Sequence, residues 1–131
     1  MARTLTMFIT FYTLSSHAFS QDISGMWKFE NQYVDVEINI TQSQGNLTGN
    51  HCIVYGAEGD FIDCADDNES TISGALDKGV FTINIKSEYA VDSVSKINLK
   101  LLPNGDLEWT LVSSLKDISF YPKKVILKKV T

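Results

Sequence analysis

Few residues in this chain have side chains suited to chemistry at neutral pH. Cys52 and Cys64 are the two cysteines of a 131-residue sequence. His51 precedes the first of them, and the other histidine, His17, lies far upstream. Carboxylates crowd the region that follows: Glu58, Asp60, Asp63, Asp66, Asp67 and Glu69. A nucleophilic centre would need His51 as its base, with a hydroxyl or thiol on one side and an orienting acid on the other. His51 sits in an alternating apolar segment with no nucleophile elbow, so it reads as a packed or surface histidine. Zinc needs several histidine or cysteine ligands, and with the cysteines paired only His51 and carboxylates remain. The acidic cluster lacks the glycine and closing glutamate of a calcium loop. Two of its carboxylates set across a sugar cleft would make a glycosidase pair, but their density reads more simply as a solvated loop. No catalytic residue, metal or cofactor is expected.

The elements that position these residues are strands. Between the cysteines, two apolar triplets, Ile53-Val54-Tyr55 and Phe61-Ile62-Asp63, flank the glycine-rich residues 56–60, the pattern of a hairpin. Folding about Glu58 sets Tyr55 against Phe61, Val54 against Ile62 and Cys52 against Cys64. Opposed Cβ atoms lie roughly 4.5–5.5 Å apart, within reach of a disulfide. The expectation is a disulfide-stapled hairpin.

Period-two alternation continues along the chain, with no helical stripe. Strands are expected over residues 23–29, 34–41, 47–55, 61–64, 71–76, 81–86, 97–101, 107–111 and 125–130. Tight turns separate several of them, Pro103-Asn104-Gly105-Asp106 being the strongest. Eight or nine short strands predict an all-β antiparallel meander, closed into a small barrel or folded as a sandwich. A two-residue turn at Gln44-Gly45 would set Ile40 against Gly49, Ile38 against His51 and Val36 against Ile53. His51, Tyr55, Phe61 and Asp63 then share the inner face, and the cystine lies outside. Trp27 and Trp109 fall on inner positions and read as core. Tyr89 and Tyr121 fall in loops and are expected to be exposed. Lys123, Lys124, Lys128 and Lys129 suggest the wet side of an edge strand.

Residues 1–20 read as a secretory leader: Arg3 near the start, an apolar run from Leu5 to Leu14, and small residues ahead of a cleavage after Ser20. The run is too short to span a membrane. Residues 21–131 then form a single domain in a periplasmic or extracellular space, where disulfides persist. Losing Arg3 makes the chain one charge more acidic than its formal −5. That balance argues against nucleic acid and fits a basic partner. Three Asn-x-Ser/Thr sequons, at Asn39, Asn46 and Asn68, matter only in a eukaryotic secretory pathway. The bacterial reading favoured here gives them no role.

Several segments together carry a resemblance. They are Ser24-Gly25-Met26-Trp27, Leu47-Thr48-Gly49-Asn50-His51-Cys52, Gly59-Asp60-Phe61-Ile62-Asp63-Cys64, Leu107-Glu108-Trp109 and Tyr121-Pro122. The layout resembles small exported β-proteins of Gram-negative bacteria that act as periplasmic inhibitors and immunity proteins against cell-wall hydrolases, including effectors delivered by type VI secretion. The resemblance implies a non-enzymatic protein that occludes the cleft of a basic hydrolase or toxin. Candidate partner-binding residues are Glu58, Asp60, Asp66, Asp67, Glu69 and Tyr121, and a homodimer is also open. A weaker resemblance, through Gly25-x-Trp27 and Leu47-Thr48-Gly49, is to avidin- and lipocalin-like barrels. It implies a small-ligand pocket lined by Trp27, Tyr55 and Trp109.

Overall fold

The computed structural model describes residues 22–89, 94–114 and 121–130. The leader expected at residues 1–20 lies outside the described residues. Among the described residues, nine strands follow in order: β1 (Gly25–Glu30), β2 (Val34–Ser43), β3 (Asn46–Tyr55), β4 (Phe61–Cys64), β5 (Ile72–Asp77), β6 (Val80–Lys86), β7 (Val94–Leu101), β8 (Leu107–Ser113) and β9 (Lys124–Lys129). Every pairing is antiparallel. Eight of the strands run in sequence around a barrel, and β1 closes it by pairing with both β2 and β9. The ninth, β4, pairs with β3 alone. The choice between barrel and sandwich is therefore settled as a barrel. No helix among the described residues is long and apolar enough to cross a membrane.

Strand alternation in the sequence becomes burial alternation in the barrel. Val34, Val36, Ile38 and Ile40 of β2 point inward, as do Phe81, Ile83 and Ile85 of β6 and Ile97 and Leu99 of β7. Trp27 and Trp109 fill the interior with them, and each indole N–H is satisfied at 2.9 Å, by the carbonyls of Ile23 and Pro122. An eight-stranded barrel is just wide enough for side chains to fill it.

β9 corrects one expectation. Its lysines were read as guarding a sheet edge, but the strand has a neighbour on each side, β8 and β1. Those lysines instead lie on the closed wall. Lys128 pairs with Asp106 at 2.8 Å, Lys124 approaches Glu108 at 3.9 Å, and the Lys129 ammonium stands 5.8 Å from the centre of the Trp27 ring.

Two glycines allow the wall to curve. A Cβ on Gly49 of β3 would meet the backbone oxygen of Asn39 on β2, and one on Gly74 of β5 would meet that of Thr82 on β6. Backbones approach there more closely than any other residue permits.

Candidate functional site

β3 is longer than the barrel needs. Its first half pairs with β5 from Asn46 to Gly49, and its second half pairs with β4 from Cys52 to Tyr55. β4 and β5 thus lie end to end along one edge of β3. The chain leaves that edge after Ala65, whose N–H bonds to the His51 carbonyl at 2.9 Å. It returns at Thr71, whose N–H bonds to the Gly49 carbonyl at 2.8 Å. Residues 66–70 form the excursion between, and all of them are exposed.

The hairpin takes the register expected of it, with Tyr55 opposite Phe61, Val54 opposite Ile62 and Cys52 opposite Cys64. The cysteines are joined in a disulfide on the outer face. A disulfide suits an oxidising, exported compartment. The β2–β3 register also matches, setting Ile38 against His51 and Val36 against Ile53.

His51 and Asp63 project from the inner face into a buried polar cluster. His51 Nε2 lies 3.1 Å from Asp63 Oδ1, an ion-pair distance without the alignment of a linear hydrogen bond. His51 Nδ1 lies 2.6 Å from Thr71 Oγ1. The second carboxylate oxygen of Asp63 accepts from the Ser87 hydroxyl at 2.7 Å and the Tyr121 hydroxyl at 2.5 Å. The Glu88 N–H completes the shell at 3.2 Å from Oδ1. One carboxylate therefore joins β3, β4, the end of β6 and the segment that leads into β9. Burial pushes the Asp63 carboxyl up, but the adjacent His51 ring and hydrogen bonds from Tyr121 and Ser87 outweigh it and hold the group below the ordinary carboxylate range. For Tyr121, burial and then the Asp63 carboxylate raise the phenol well above its usual value.

Thr71, His51 and Asp63 stand in the order of a hydrolase triad, but all three are buried. The cleft beside them holds about 50 Å³, far below the 300–1,000 Å³ typical of a substrate pocket. Their arrangement acts as a strut that fixes the hairpin to the barrel rim. Asp63 is therefore not part of the solvated acidic loop, and Tyr121 is not the exposed partner anchor expected of a loop tyrosine. Tyr121 is 2 % exposed and packs against Trp109, with ring centres 6.4 Å apart. The signal lay in the inward position that the register gives Asp63, since a buried carboxylate requires hydroxyl donors from elsewhere in the chain.

Beyond this strut the hairpin is a surface feature. Tyr55 and Phe61 continue the inner face past the rim, their ring centres 6.5 Å apart, and are 39 % and 48 % exposed. Ile62 is exposed on the other face. Tyr33 joins them through its carbonyl, which accepts from the Gly56 N–H at 2.7 Å, and Tyr89 through its hydroxyl, which bonds to the Ile62 carbonyl at 2.9 Å. Both tyrosines are more than half exposed. Glu58 and Asp60 lie at the tip, and Asp66, Asp67 and Glu69 on the neighbouring excursion, all exposed. Tyr55 is thus at the tip while Trp27 and Trp109 are in the core, so the three do not line one pocket.

Charge is segregated to match. Residues 29–77 contain ten of the 16 acidic residues and no lysine or arginine. They build β2, β3 and β5, which are contiguous in the wall, and β4, which pairs with β3 outside it. Nine of the 11 basic residues follow from Lys78 onward. Compared with protein-family models, curated proteins and solved structures, the chain matches none.

Proposed function

We propose that the protein is an exported binding protein that uses the stapled hairpin and the adjacent acidic excursion to block a basic partner. The favoured partner is a peptidoglycan-degrading enzyme whose active-site cleft the hairpin occludes in the periplasm. One observation carries this reading. Exposed Tyr55, Phe61 and Ile62 sit on a covalently stiffened projection with exposed Tyr33 and Tyr89 beside it, and all but Tyr89 belong to a stretch of chain that has carboxylates but no lysine or arginine. Aromatic side chains supply contact area at interfaces. A one-signed field steers an oppositely charged partner and raises the association rate. A tip held in one conformation loses less entropy on binding. The alternative of a small ligand inside the barrel has less in its favour, because Trp27, Phe81 and Trp109 occupy that space.

The test is a lysis assay and a calorimetric titration against peptidoglycan hydrolases, beginning with any encoded beside this gene. A one-to-one complex that stops lysis and weakens with added salt is the expected result. A panel of basic hydrolases that neither bind nor slow would sink the proposal.

A further inference from the structure

The barrel closes where β1 meets β9, and this is the shortest pairing in its wall. β1 pairs with β2 from Gly25 to Glu30, but with β9 only at Trp27–Lys129 and Lys28–Lys128. Antiparallel ladders alternate pairs that exchange hydrogen bonds with pairs that do not. Met26 and Val130 are of the bonded kind, the Val130 N–H donating to the Met26 carbonyl at 2.9 Å. Lys28 with Lys128 is the next such rung, and Glu30 with Ile126 would be the one after. The ladder stops short of it. A cleft of about 560 Å³ opens there, lined by Lys28, Phe29, Glu30, Ile126 and Lys128.

We propose that this cleft binds a short extended peptide through its free C-terminal carboxylate. The site lies on different strands from the hairpin and does not depend on the function proposed above. Three features select such a ligand. First, Glu30 and Ile126 sit where each strand would offer its backbone N–H and C=O to the other, so an extended chain entering the cleft finds ladder partners on both walls. Second, Lys28 and Lys128 face each other at the inner end. Like charges directly opposed are unfavourable, and an anion between them relieves that. Lys28 already approaches Glu37 at 3.5 Å and Lys128 approaches Asp106 at 2.8 Å, but an ammonium has three donors and keeps two for a ligand. Third, Glu30 lies two residues further out on the same face, about 7 Å along the strand. It is placed to take the ammonium of a peptide two or three residues long. A fatty acid would use the lysines and the apolar floor of Phe29 and Ile126 but would leave Glu30 and the backbone edges unmatched.

Trialanine titrated into the intact protein, followed through amide shifts in ¹⁵N NMR spectra, tests the proposal. Saturable shifts at Glu30 and Ile126 are expected. Affinity should fall about tenfold or more for trialanine amide and for the Lys128→Gln variant, because each removes a charge-assisted hydrogen bond. Ile126→Trp should fill the cleft and abolish binding. If that variant fails to fold, Lys128→Gln decides, since Lys128 is an exposed side chain. The proposal is overturned if trialanine moves neither amide, if its amide binds equally well, if Lys128→Gln binds as the wild type does, if a folded Ile126→Trp variant still binds, or if decanoate shifts those amides when trialanine does not.

Discussion

Tyr121 and Asp63 stand 58 positions apart in the chain, yet the tyrosine hydroxyl donates to the buried carboxylate at 2.5 Å. That bond ties the segment entering β9 to the strand outside the barrel. Tyr121→Phe removes one donor from a buried charge and should cost about 1–3 kcal/mol of stability. Asp63→Ala leaves the Ser87 and Tyr121 hydroxyls without their acceptor and His51 without the carboxylate beside it, and should cost more, about 3–5 kcal/mol. Urea unfolding of the two variants measures both, and an Asp63→Ala protein as stable as Tyr121→Phe would show that the carboxylate is not the hub.

Stability should fall at both ends of the pH scale. The folded Asp63 carboxyl titrates below its unfolded value of about 3.9. Its contribution is therefore complete above that value and is lost as the pH falls through the folded value. Tyr121 is shifted upward, so its contribution is complete below about pH 10, the unfolded value, and is lost as the pH rises beyond it. Unfolding free energies measured across the pH range should show both limbs. Asp63→Asn should flatten the acid limb and Tyr121→Phe the alkaline one, and limbs of unchanged steepness in these variants would refute the assignment.

The cystine closes a loop with a sequence separation of 12, for which chain-entropy arguments give about 3 kcal/mol. Replacing Cys52 and Cys64 with serine should lower stability by that order. Hydrogen exchange should speed up first at the Phe61 and Asp63 amides, which face β3 across the bonded rungs, while the Ile83 and Ile97 amides of the β6–β7 pair stay protected. Uniform loss of protection would mean that the hairpin and barrel unfold as one unit.

At the hairpin, the two kinds of side chain should affect different rate constants. Asp60→Asn together with Glu58→Gln, Asp66→Asn, Asp67→Asn and Glu69→Gln should mainly slow association and weaken its salt dependence. Phe61→Ala and Ile62→Ala should mainly speed dissociation. Surface plasmon resonance with the captured hydrolase separates these effects. A complex unaffected by either set would place the interface elsewhere on the molecule.

Gly49 offers a sharper test of the barrel itself. A methyl group there would stand 1.9 Å from the Asn39 carbonyl oxygen. Gly49→Ala should cost several kcal/mol, or prevent folding, as overpacking against backbone does. Gly79, with a φ of 80° and open space around it, should lose only about 1–2 kcal/mol on the same change. Equal losses at the two sites would mean that the sheet relaxes away from the contact.

Local features were readable in the sequence, and long-range ones were not. Alternation in 34–41 and the short turn at Gln44-Gly45 were enough to set β2 against β3, because the two strands are adjacent and their register follows from the turn. The hairpin from Cys52 to Cys64 was readable for the same reason, its halves being nearly mirror-symmetric about Glu58. Closure between β1 and β9 was not. Those strands are about a hundred residues apart, and an alternating strand with lysines on its wet face looks alike at an edge or in a wall. Tyr121 beside a proline resembled an exposed loop residue, because its partner, Asp63, becomes its neighbour only when the barrel closes. The charge segregation was present in the order of residues, but it gained meaning only when β2 to β5 proved contiguous in space.

The chain leaves and rejoins β3 at carbonyls two residues apart, those of His51 and Gly49. The excursion from Asp66 to Ser70 thus begins and ends at nearly one point, and neither the barrel nor the hairpin requires it to have a particular length. Loop-closure entropy rises by only about 0.6 kcal/mol for each doubling. This makes the position a natural insertion port, where a foreign peptide or a small domain could be carried without disturbing the strands on either side. The same freedom would allow the loop's length and sequence to diverge while the scaffold beneath it stays constant.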